Sequence, residues 1–235
     1  MFITFLEGPN IMGKEIELAF DIPKEVAESI LSSVDVLKKK SIYQSYLFKE
    51  NAIVGFCKET NVWKIELRLQ DLYYPFTVKP KSSEVGNIHE ILKDITHDNL
   101  ACSDLEIRIR DYGKKAKPRF EFTVKKLNPN DDGTDDGRDE FEAFIDWEHL
   151  SMLDAFSKSN GYKVIKKRNV FMIEGDEYVL DQLKQRKHDR IEIEFDTIAE
   201  RDAVDHLDIA GHKVSTISEF GNKEMAYQNG CRSVA

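Results

Sequence analysis

Six short segments of the chain alternate apolar and polar residues with a period of two, and in each the polar row is charged. They are Lys14–Phe20, Leu105–Arg110, Arg119–Lys125, the stretch Arg138–Glu142, the stretch around Lys166–Arg168, and Arg190–Phe195. This periodicity is the signature of β-strands with one apolar and one polar face. The sequence therefore predicts a sheet with charge on one face of nearly every strand.

Helical spacing interrupts the strand pattern at three places, each with a boundary signal. The first follows Pro23 and has its apolar residues at Val26, Ile30, Val34 and Leu37. The second has Trp147, Leu150 and Leu153 and can end at Gly161. The third begins with a capping box of Thr197 and Glu200 and carries Val204 and Leu207. Most connections between strands are too short for helical crossovers. We therefore predict an α+β fold with a mostly antiparallel sheet.

Residues 48–100 stand apart from the other segments. They hold their own strand candidates, such as Val62–Gln70 with Trp63 on its apolar side, the Pro75–Pro80 stretch and a predicted helix at Ile88–Ile95. We interpret them as an insertion or subdomain within one domain that spans residues 1–235.

The charge balance limits the classes of partner. The formal net charge is −9 and the pI is near 5.3, which argues against a protein that coats DNA or other nucleic acid or lies on an anionic membrane. No apolar run is long enough to span a membrane and no signal peptide is recognisable. Three widely spaced cysteines do not form a disulfide framework, so we expect a cytoplasmic protein.

Two loops imitate known motifs but fail at a required position. Gly8–Lys14 has the spacing of a P-loop, but Glu15 follows where a Ser or Thr hydroxyl would reach magnesium. Asn128–Asp139 imitates a calcium loop, but it carries Asp139 where the bidentate Glu belongs, and strands are predicted on both sides. We reject both.

The charged rows have two explanations. An antiparallel sheet commonly leaves one face to water, with ordinary cross-strand ion pairs. Here, however, Glu-x-Glu pairs occur near both ends of the chain, with Arg-x-Arg and Lys-x-Arg between them. A sheet that curls with this face inward would hold both signs of charge in its lumen. A metal–polyphosphate complex, such as ATP or inorganic triphosphate with a divalent cation, would neutralise both.

At this point the sequence resembles the CYTH superfamily, the triphosphate tunnel metalloenzymes. The similar motifs follow in order: Glu15–Ile–Glu17, Gln44–Ser–Tyr46–Leu47, Arg108–Ile–Arg110 with Phe122–Thr–Val–Lys125, Arg138–Asp–Glu140–Phe–Glu142, Lys166–Lys–Arg168, Asp181, Glu192–Ile–Glu194–Phe195 and Phe220–Gly–Asn222–Lys–Glu–Met225–Ala226. Each motif alone is weak, but eight in the same order are much more specific.

The resemblance implies an eight-stranded antiparallel β-barrel, a tunnel open at both ends, with flanking helices. It implies Mg²⁺ or Mn²⁺ held by Glu15, Glu17 and Glu194. It also implies phosphate binding by six basic residues, namely Arg108, Arg110, Lys125, Arg138, Lys166 and Arg168. For metal-assisted hydrolysis, the candidates that activate water are Glu140, Glu142 and Glu192.

Three positions depart from the family pattern. Ala19 stands where the family usually has Lys or Arg, and Phe220 stands where Tyr is usual. The 48–100 segment is longer than the link that the family usually has between its second and third strands. Three roles stay open for this segment: it covers a tunnel mouth, forms a homodimer or binds another partner.

Four functions are compatible with the sequence. The first is a divalent-metal triphosphatase acting on inorganic triphosphate, a nucleoside triphosphate or an RNA 5′-triphosphate. The second is a class IV-type adenylyl cyclase, and the third is a non-catalytic protein that binds nucleotide or polyphosphate. The fourth is a structural protein whose charged sheet face is solvated.

Overall fold

The computed structural model of the chain describes residues 14–57, 59–60, 62–69, 71–79, 105–112, 120–129, 135–145, 147–218 and 221–234. Within these, the side chains of residues 14–15, 127–129, 135–140, 147 and 232–234 are not described. The helix predicted at Ile88–Ile95 and the motif residue Phe220 lie outside the described residues.

Strands dominate the described residues. In chain order the elements are β1 (Lys14–Glu15), β2 (Glu17–Pro23), α1 (Lys24–Ser33), β3 (Val36–Tyr46), β4 (Ala52–Cys57), β5 (Val62–Leu69), β6 (Leu72–Val78), β7 (Leu105–Asp111), β8 (Phe120–Pro129), β9 (Asp135–Phe144), α2 (Leu150–Ser159), β10 (Lys163–Ile173), β11 (Asp176–Leu183), β12 (His188–Glu194), α3 (Ile198–Asp202), β13 (Leu207–Ile209), β14 (His212–Val214) and α4 (Asn222–Val234). A 3₁₀ turn at Trp147–His149 precedes α2.

The main sheet has the order β1-β9-β8-β7-β3-β10-β11-β12-β2, and every neighbouring pair is antiparallel. Its two ends, β1 and β2, are parts of one segment separated by Ile16. This segment pairs with β9 through Lys14 and Glu15, and with β12 from Glu17 onward. Counting the segment once gives eight strands, with the ladder interrupted at Ile16. The predicted α+β class with a mostly antiparallel sheet is confirmed.

The apolar rows of the strands face outward and are covered. On one side Phe20, Leu180 and Ile191 pack with Ala27 and Ile30 of α1. On the other side the strands β7, β8 and β9 pack against α2 and the second sheet in a cluster that includes Trp63, Ile107, Phe122, Phe141 and Phe156. Burial of this apolar surface is the main stabilising contribution. Because side chains alternate along a strand, the charged rows point to the interior.

Residues 52–78 form a separate three-stranded sheet with the order β4-β5-β6. Trp63, Ile65 and Leu67 on one face of β5 are fully buried, as the sequence predicts. Their ring and aliphatic groups belong to the same cluster as the outer face of β7 and β8. The inserted sheet is thus packed onto the main sheet through a shared core.

Two helices are shorter than the spacing predicts. α1 ends at Ser33 because Val34 adopts an extended conformation, and Leu37 lies in β3 with 66% of its surface exposed. The predicted capping box of Thr197 and Glu200 is present, but α3 ends at Asp202 and Leu207 begins β13. In both cases strand pairing overrides the local helical pattern.

Among the described helices, none combines the length and apolarity that crossing a bilayer requires.

Candidate functional site

The inner face of the main sheet encloses a cavity of about 340 Å³ whose wall is mostly charged. Its basic lining residues are Arg108, Arg110, Lys125, Lys166, Arg168, Arg190 and Arg201. Its acidic lining residues are Glu17, Glu106, Asp176, Glu177, Glu192 and Glu194. Such a wall suits a ligand that carries many negative charges together with a cation.

The period-two pattern places these groups. On β7, Arg108 and Arg110 point inward while Ile107 and Ile109 join the outer core. All four of these residues are at least 90% buried. The same alternation on β10 and β12 brings Lys166, Arg168, Arg190 and Glu192 to the interior. Residues far apart in the chain therefore converge on one cavity.

Asp181 of β11 is the centre of a charged cluster at the cavity wall. It is opposite Arg168 in register and has no exposed side-chain surface. Arg168 donates from Nε and Nη2 to its two oxygens at 2.9 and 2.7 Å, and Lys166 Nζ donates at 2.5 Å. The carboxylate fixes both cations at the cavity wall.

Burial shapes the protonation of this cluster. Burial, and after it the positive charge of Arg168, lowers the pKa of Lys166 to about 8, against the opposing effect of Asp181 and Glu192. Burial alone would raise the pKa of Asp181, but Arg168 and Lys166 outweigh it and hold that pKa well below its usual range. The charge of Lys166 is therefore sensitive to pH near neutrality.

Further ion pairs orient the remaining arginines. Arg168 Nη2 also contacts Glu192 Oε2 at 2.7 Å, and Arg108 Nη1 contacts Glu106 Oε1 at 2.5 Å. Arg110 Nη1 lies 2.8 Å from Glu121 Oε1 on the neighbouring strand. These pairs hold planar donors in fixed positions, which favours binding of phosphate oxygens.

Arg110 also contacts Glu142. The distance from Arg110 Nη1 to Glu142 Oε1 is 3.4 Å, and the Glu142 side chain is 33% exposed. Glu142 does not belong to the set of described residues that line the cavity.

Two carboxylates face each other at the wall of the cavity. Glu17 of β2 and Glu194 of β12 are directly opposite in register, and both line the cavity. Like charges opposite each other are unfavourable, and a cation near both offsets this repulsion. In the part of the chain with described side chains, no group of three or more potential ligands is close enough to hold a metal.

The position of Ala19 is defined by the same strand pair. Ala19 is opposite Glu192 and lines the cavity, two residues from Glu17. Glu192 has its cation in Arg168 on another strand. Arg190 occupies the next inward position of β12 after Glu192, opposite Asp21.

An apolar cluster fills the interior at one end of the sheet. Tyr46 is opposite Arg108 and Leu183 is opposite Lys166, so both side chains are on the inner face. They pack with Val164 and with Met225 and Ala226 of α4. The charged part of the cavity is therefore bounded at this end by helix α4.

The predicted site residues fall into three groups. Those that line the cavity are Glu17, Arg108, Arg110, Lys125, Lys166, Arg168, Glu192 and Glu194. Glu142 lies beside Arg110 without lining it. The side chains of Glu15, Arg138 and Glu140 lie outside the description, although the backbones of Glu15 and Arg138 are paired in register.

Several charged residues at the cavity were not assigned as site residues from the sequence. Glu106 and Arg190 line it in the same inward rows as the predicted residues, so the period-two pattern contained a signal for both. In the sequence, Asp181 is a motif position without a predicted role. Asn222 is a position of the last motif, whereas Ser218 comes from a segment with no period-two pattern and no motif, so nothing in the sequence alone places it there.

Comparisons with known proteins give structural likenesses only. No family model matches the chain, and no curated protein matches its sequence. The protein PH1819 of Pyrococcus horikoshii is similar at 14% identity and a TM-score of 0.48, over 94% of this chain and 99% of that one.

Two further solved structures are similar to the chain at comparable levels. Inorganic triphosphatase NE1496 is similar at 16% identity and a TM-score of 0.40, over 92% of this chain and 95% of that one. A Bacillus halodurans protein provisionally described as an adenylate cyclase is similar at 16% identity and a TM-score of 0.42, over 82% and 87%. Likeness at this level specifies neither substrate nor reaction for this chain.

Proposed function

We propose that this protein is a divalent-metal-dependent triphosphatase, which hydrolyses the terminal phosphate of inorganic triphosphate, a nucleoside triphosphate or an RNA 5′-triphosphate. The observation that carries the proposal is one cavity in which buried Lys and Arg side chains stand beside the opposed carboxylates Glu17 and Glu194. A polyphosphate needs the cations, and the divalent cation that accompanies it needs the carboxylates.

The phosphate oxygens would be bound by Arg108, Arg110, Lys125, Lys166 and Arg168. All five line the cavity, and Arg108, Lys125 and Lys166 are at most 4% exposed. Hydrogen bonds from buried, charged donors are stronger than those in water. Arg138 stays a proposed member of this set on the family resemblance alone.

The residues present fit Mg²⁺ or Mn²⁺. Mg²⁺ is commonly bound through one or two carboxylates together with substrate phosphates and water, so it does not need a complete set of protein ligands. Glu17 and Glu194 would supply the carboxylates, with Glu15 as the third proposed ligand. The bound cation would polarise the phosphoryl oxygens and neutralise charge.

For the chemical step, the protein must stabilise charge on the transferring phosphoryl group and orient a water molecule. Lys166 and Arg168 are held in place by Asp181 before the ligand arrives, so little reorganisation is needed. Glu192 is the best placed of the proposed water-activating carboxylates, because it lines the cavity beside Arg168. Glu140 and Glu142 stay proposals from the resemblance.

A second candidate, a non-catalytic binding protein, is favoured by one observation. Ala19 lines the cavity with a methyl group where the resembling family usually has a cation. A binding protein would raise its melting temperature with ligand and release no product. The cyclase alternative predicts pyrophosphate and cyclic AMP from ATP.

The test incubates the purified chain with Mg²⁺ or Mn²⁺ and, separately, with triphosphate, ATP and a 5′-triphosphate RNA. Products are resolved by anion-exchange chromatography. We expect orthophosphate from the wild type and at least a hundredfold slower release from Glu17→Gln, because one lost ligand to the metal removes several kcal/mol of transition-state stabilisation, on the order of 3 kcal/mol.

The matched control is Glu66→Gln on the exposed face of the inserted sheet, which we expect to keep the wild-type rate. Cyclic AMP from ATP would replace the hydrolase with the cyclase. Absence of product from all three substrates, with bound ligand, would leave the binding protein. Absence of both product and binding would contradict every ligand-based function.

The proposal also covers the cellular location and the oligomeric state. We propose a cytoplasmic location, since Cys57 and Cys231 are free thiols and Cys102 lies outside the described residues. For the inserted sheet, a homodimer contact stays one of the roles that the sequence left open.

A further inference from the structure

Arg190 is a buried cation at the cavity that the proposed mechanism does not use. Its side chain is 4% exposed, and it lines the cavity on the inner face of β12. In register it is opposite Asp21 of β2 on one side and Asp181 of β11 on the other, one inward position from the pair of Ala19 and Glu192. Ala19 contributes only a methyl group to the cavity wall in the neighbouring inward position.

Two polar groups hold the guanidinium from one side. Arg190 Nη2 donates to Ser218 Oγ at 2.5 Å, and Ser218 Oγ donates to Asp21 Oδ1 at 2.6 Å. The direct distance from Arg190 Nη2 to Asp21 Oδ1 is 3.6 Å, longer than a charge-assisted hydrogen bond. Asp21 therefore orients Arg190 mainly through the serine hydroxyl.

The serine belongs to a segment that is fixed against β2. Asp21 N donates to Thr216 O and Ser218 N donates to Ala19 O, both at 2.8 Å. Ile217, Ser218, Gly221 and Asn222 then line the cavity. This segment and Arg190 together bound the cavity near α4.

The separation that matters for a ligand is the one between Arg190 and the carboxylate pair of Glu17 and Glu194. Arg190 and Glu194 are four residues apart on one strand, which is about 13 Å between their Cα atoms at the usual rise per residue. The hydrogen bonds to Ser218, and through it to Asp21, keep the guanidinium at its own level of the sheet, so the charged groups are well separated too. A single phosphate contacts groups only one hydrogen-bond length away, about 2.8 Å, so it does not reach both. A chain of several phosphates is needed to contact a metal at Glu17 and Glu194 and also Arg190.

From these distances we propose that Arg190 binds the phosphoryl group at the far end of the polyphosphate chain, and that it thereby selects ligands by chain length. The inference rests on the proposed function, because it assumes a polyphosphate in the cavity. Asp21 is a positioning residue that also competes with the ligand for the guanidinium.

The experiment measures the dissociation constants of triphosphate and of orthophosphate by titration calorimetry with Mg²⁺ present. For Arg190→Gln we expect triphosphate to bind about 10- to 100-fold more weakly, the cost of one charged hydrogen-bond donor, with orthophosphate affinity unchanged. Arg186→Gln is the matched control. Arg186 contacts Gln228 and is not among the described lining residues, so both affinities should stay at wild-type values.

For Asp21→Asn we expect the opposite change in triphosphate affinity. Removing the competing carboxylate should strengthen triphosphate binding several-fold, with an effect that decreases at high salt. Arg190→Lys should restore part of the affinity. If Asp21→Asn weakens binding as Arg190→Gln does, the pair is structural and the proposal is wrong.

The outcomes separate this inference from the proposed function. Wild-type hydrolysis with unchanged triphosphate affinity in Arg190→Gln would overturn the role of Arg190 and leave the triphosphatase standing. A wild type that binds and hydrolyses no triphosphate would overturn the proposed function and this inference with it. Melting temperatures of the ligand-free variants detect any loss that is due to misfolding.

Discussion

Burial makes the charge of the Lys166 side chain sensitive to pH. It is 1% exposed and shares Asp181 with Arg168, which holds the same carboxylate with two nitrogens. Because its pKa is lowered to about 8, its positive charge decreases just above neutral pH. The other basic residue on this carboxylate is Arg168, which stays charged.

Triphosphate affinity should therefore depend on the protonation of Lys166. A protonated lysine attracts phosphate and a neutral one does not, so we expect affinity to fall by about tenfold between pH 8 and pH 9.5, since each pH unit above a pKa removes about nine tenths of the remaining charge. In Lys166→Arg this fall should be absent. The measurement is the dissociation constant against pH for both proteins, and their ratio removes the titration of the ligand itself.

Lys40 provides the control for this experiment. Burial, followed by repulsion from Lys38, lowers its pKa to about 8 as well. It is opposite Arg168 in register but is not among the described residues that line the cavity, so it tests whether a titrating lysine close to the site is enough. Lys40→Arg should keep the wild-type pH dependence. A pH profile that follows Lys40 instead of Lys166 would place the sensitive contact elsewhere.

Sequence reasoning found the cavity cations but not how they are held. The alternation of charge in 163–173 and 188–194 identified Lys166, Arg168 and Glu192 as inward residues. The pairing of Arg168 with Asp181 depends on the register of β10 and β11. That register follows from the two-residue turn at Glu174 and Gly175, both with positive φ, and a Glu-Gly pair is a weaker sequence signal than Asn-Gly.

At the level of elements, the inserted sheet depends on the main sheet for its core. The ring of Trp63 on β5 packs edge-on against Phe122 of β8, with centroids 5.6 Å apart. Strand β5 was predictable from its alternation of apolar residues. Its partner surface was not, because an outward row on β8 looks the same in the sequence whether water or another sheet covers it.

Trp63→Ala should accordingly destabilise the whole protein. Removing a fully buried aromatic ring typically costs about 3–5 kcal/mol in the free energy of unfolding. We expect one cooperative transition in urea, shifted to lower concentration, because the ring joins both sheets. Two separate transitions would contradict the shared core.

Conservative changes at the same sheet test the cause of this loss. The indole nitrogen of Trp63 is buried without a hydrogen-bond partner among the described residues, so Trp63→Phe keeps most of the packing and loses no hydrogen bond. It should cost much less than the alanine variant. Tyr73→Ala, which removes a half-exposed ring, should change stability only slightly, by about 0.5 kcal/mol.

For the whole molecule, a net charge of −9 coexists with a cavity of clustered cations. The overall charge was the basis for excluding DNA coating, and the inward rows were the basis for expecting a local basic site. What the sequence did not provide was the apolar cluster at one end of the interior. Tyr46 and Leu183 occupy inward positions, and only packing with α4 makes them a boundary.

Ligand and metal should stabilise the folded protein together. At a triphosphate concentration 100 times the dissociation constant, binding adds about 2.7 kcal/mol to the free energy of unfolding. For a chain of this size that corresponds to a rise of about 5–10 °C in melting temperature. Differential scanning fluorimetry with Mg²⁺ alone, triphosphate alone and both should show the largest rise with both.

Chelation of the metal should return the melting temperature to the value with triphosphate alone. Glu17→Gln should reduce the additional rise due to Mg²⁺ and leave the rise with triphosphate alone, since Glu17 lines the cavity as a proposed metal ligand. Equal rises with and without Mg²⁺ would mean that the carboxylate pair does not bind the cation.

The pairing of β2 with β12 has a consequence for synthesis. Residues 17–23 are hydrogen-bonded to residues 188–194, so the two carboxylates of the proposed metal site are contributed by parts of the chain made far apart in time. During translation the first half of the chain emerges before its partner strand exists, and pairings over such separations form slowly. The growing polypeptide therefore cannot form the proposed metal site until the last strand of the main sheet has left the ribosome.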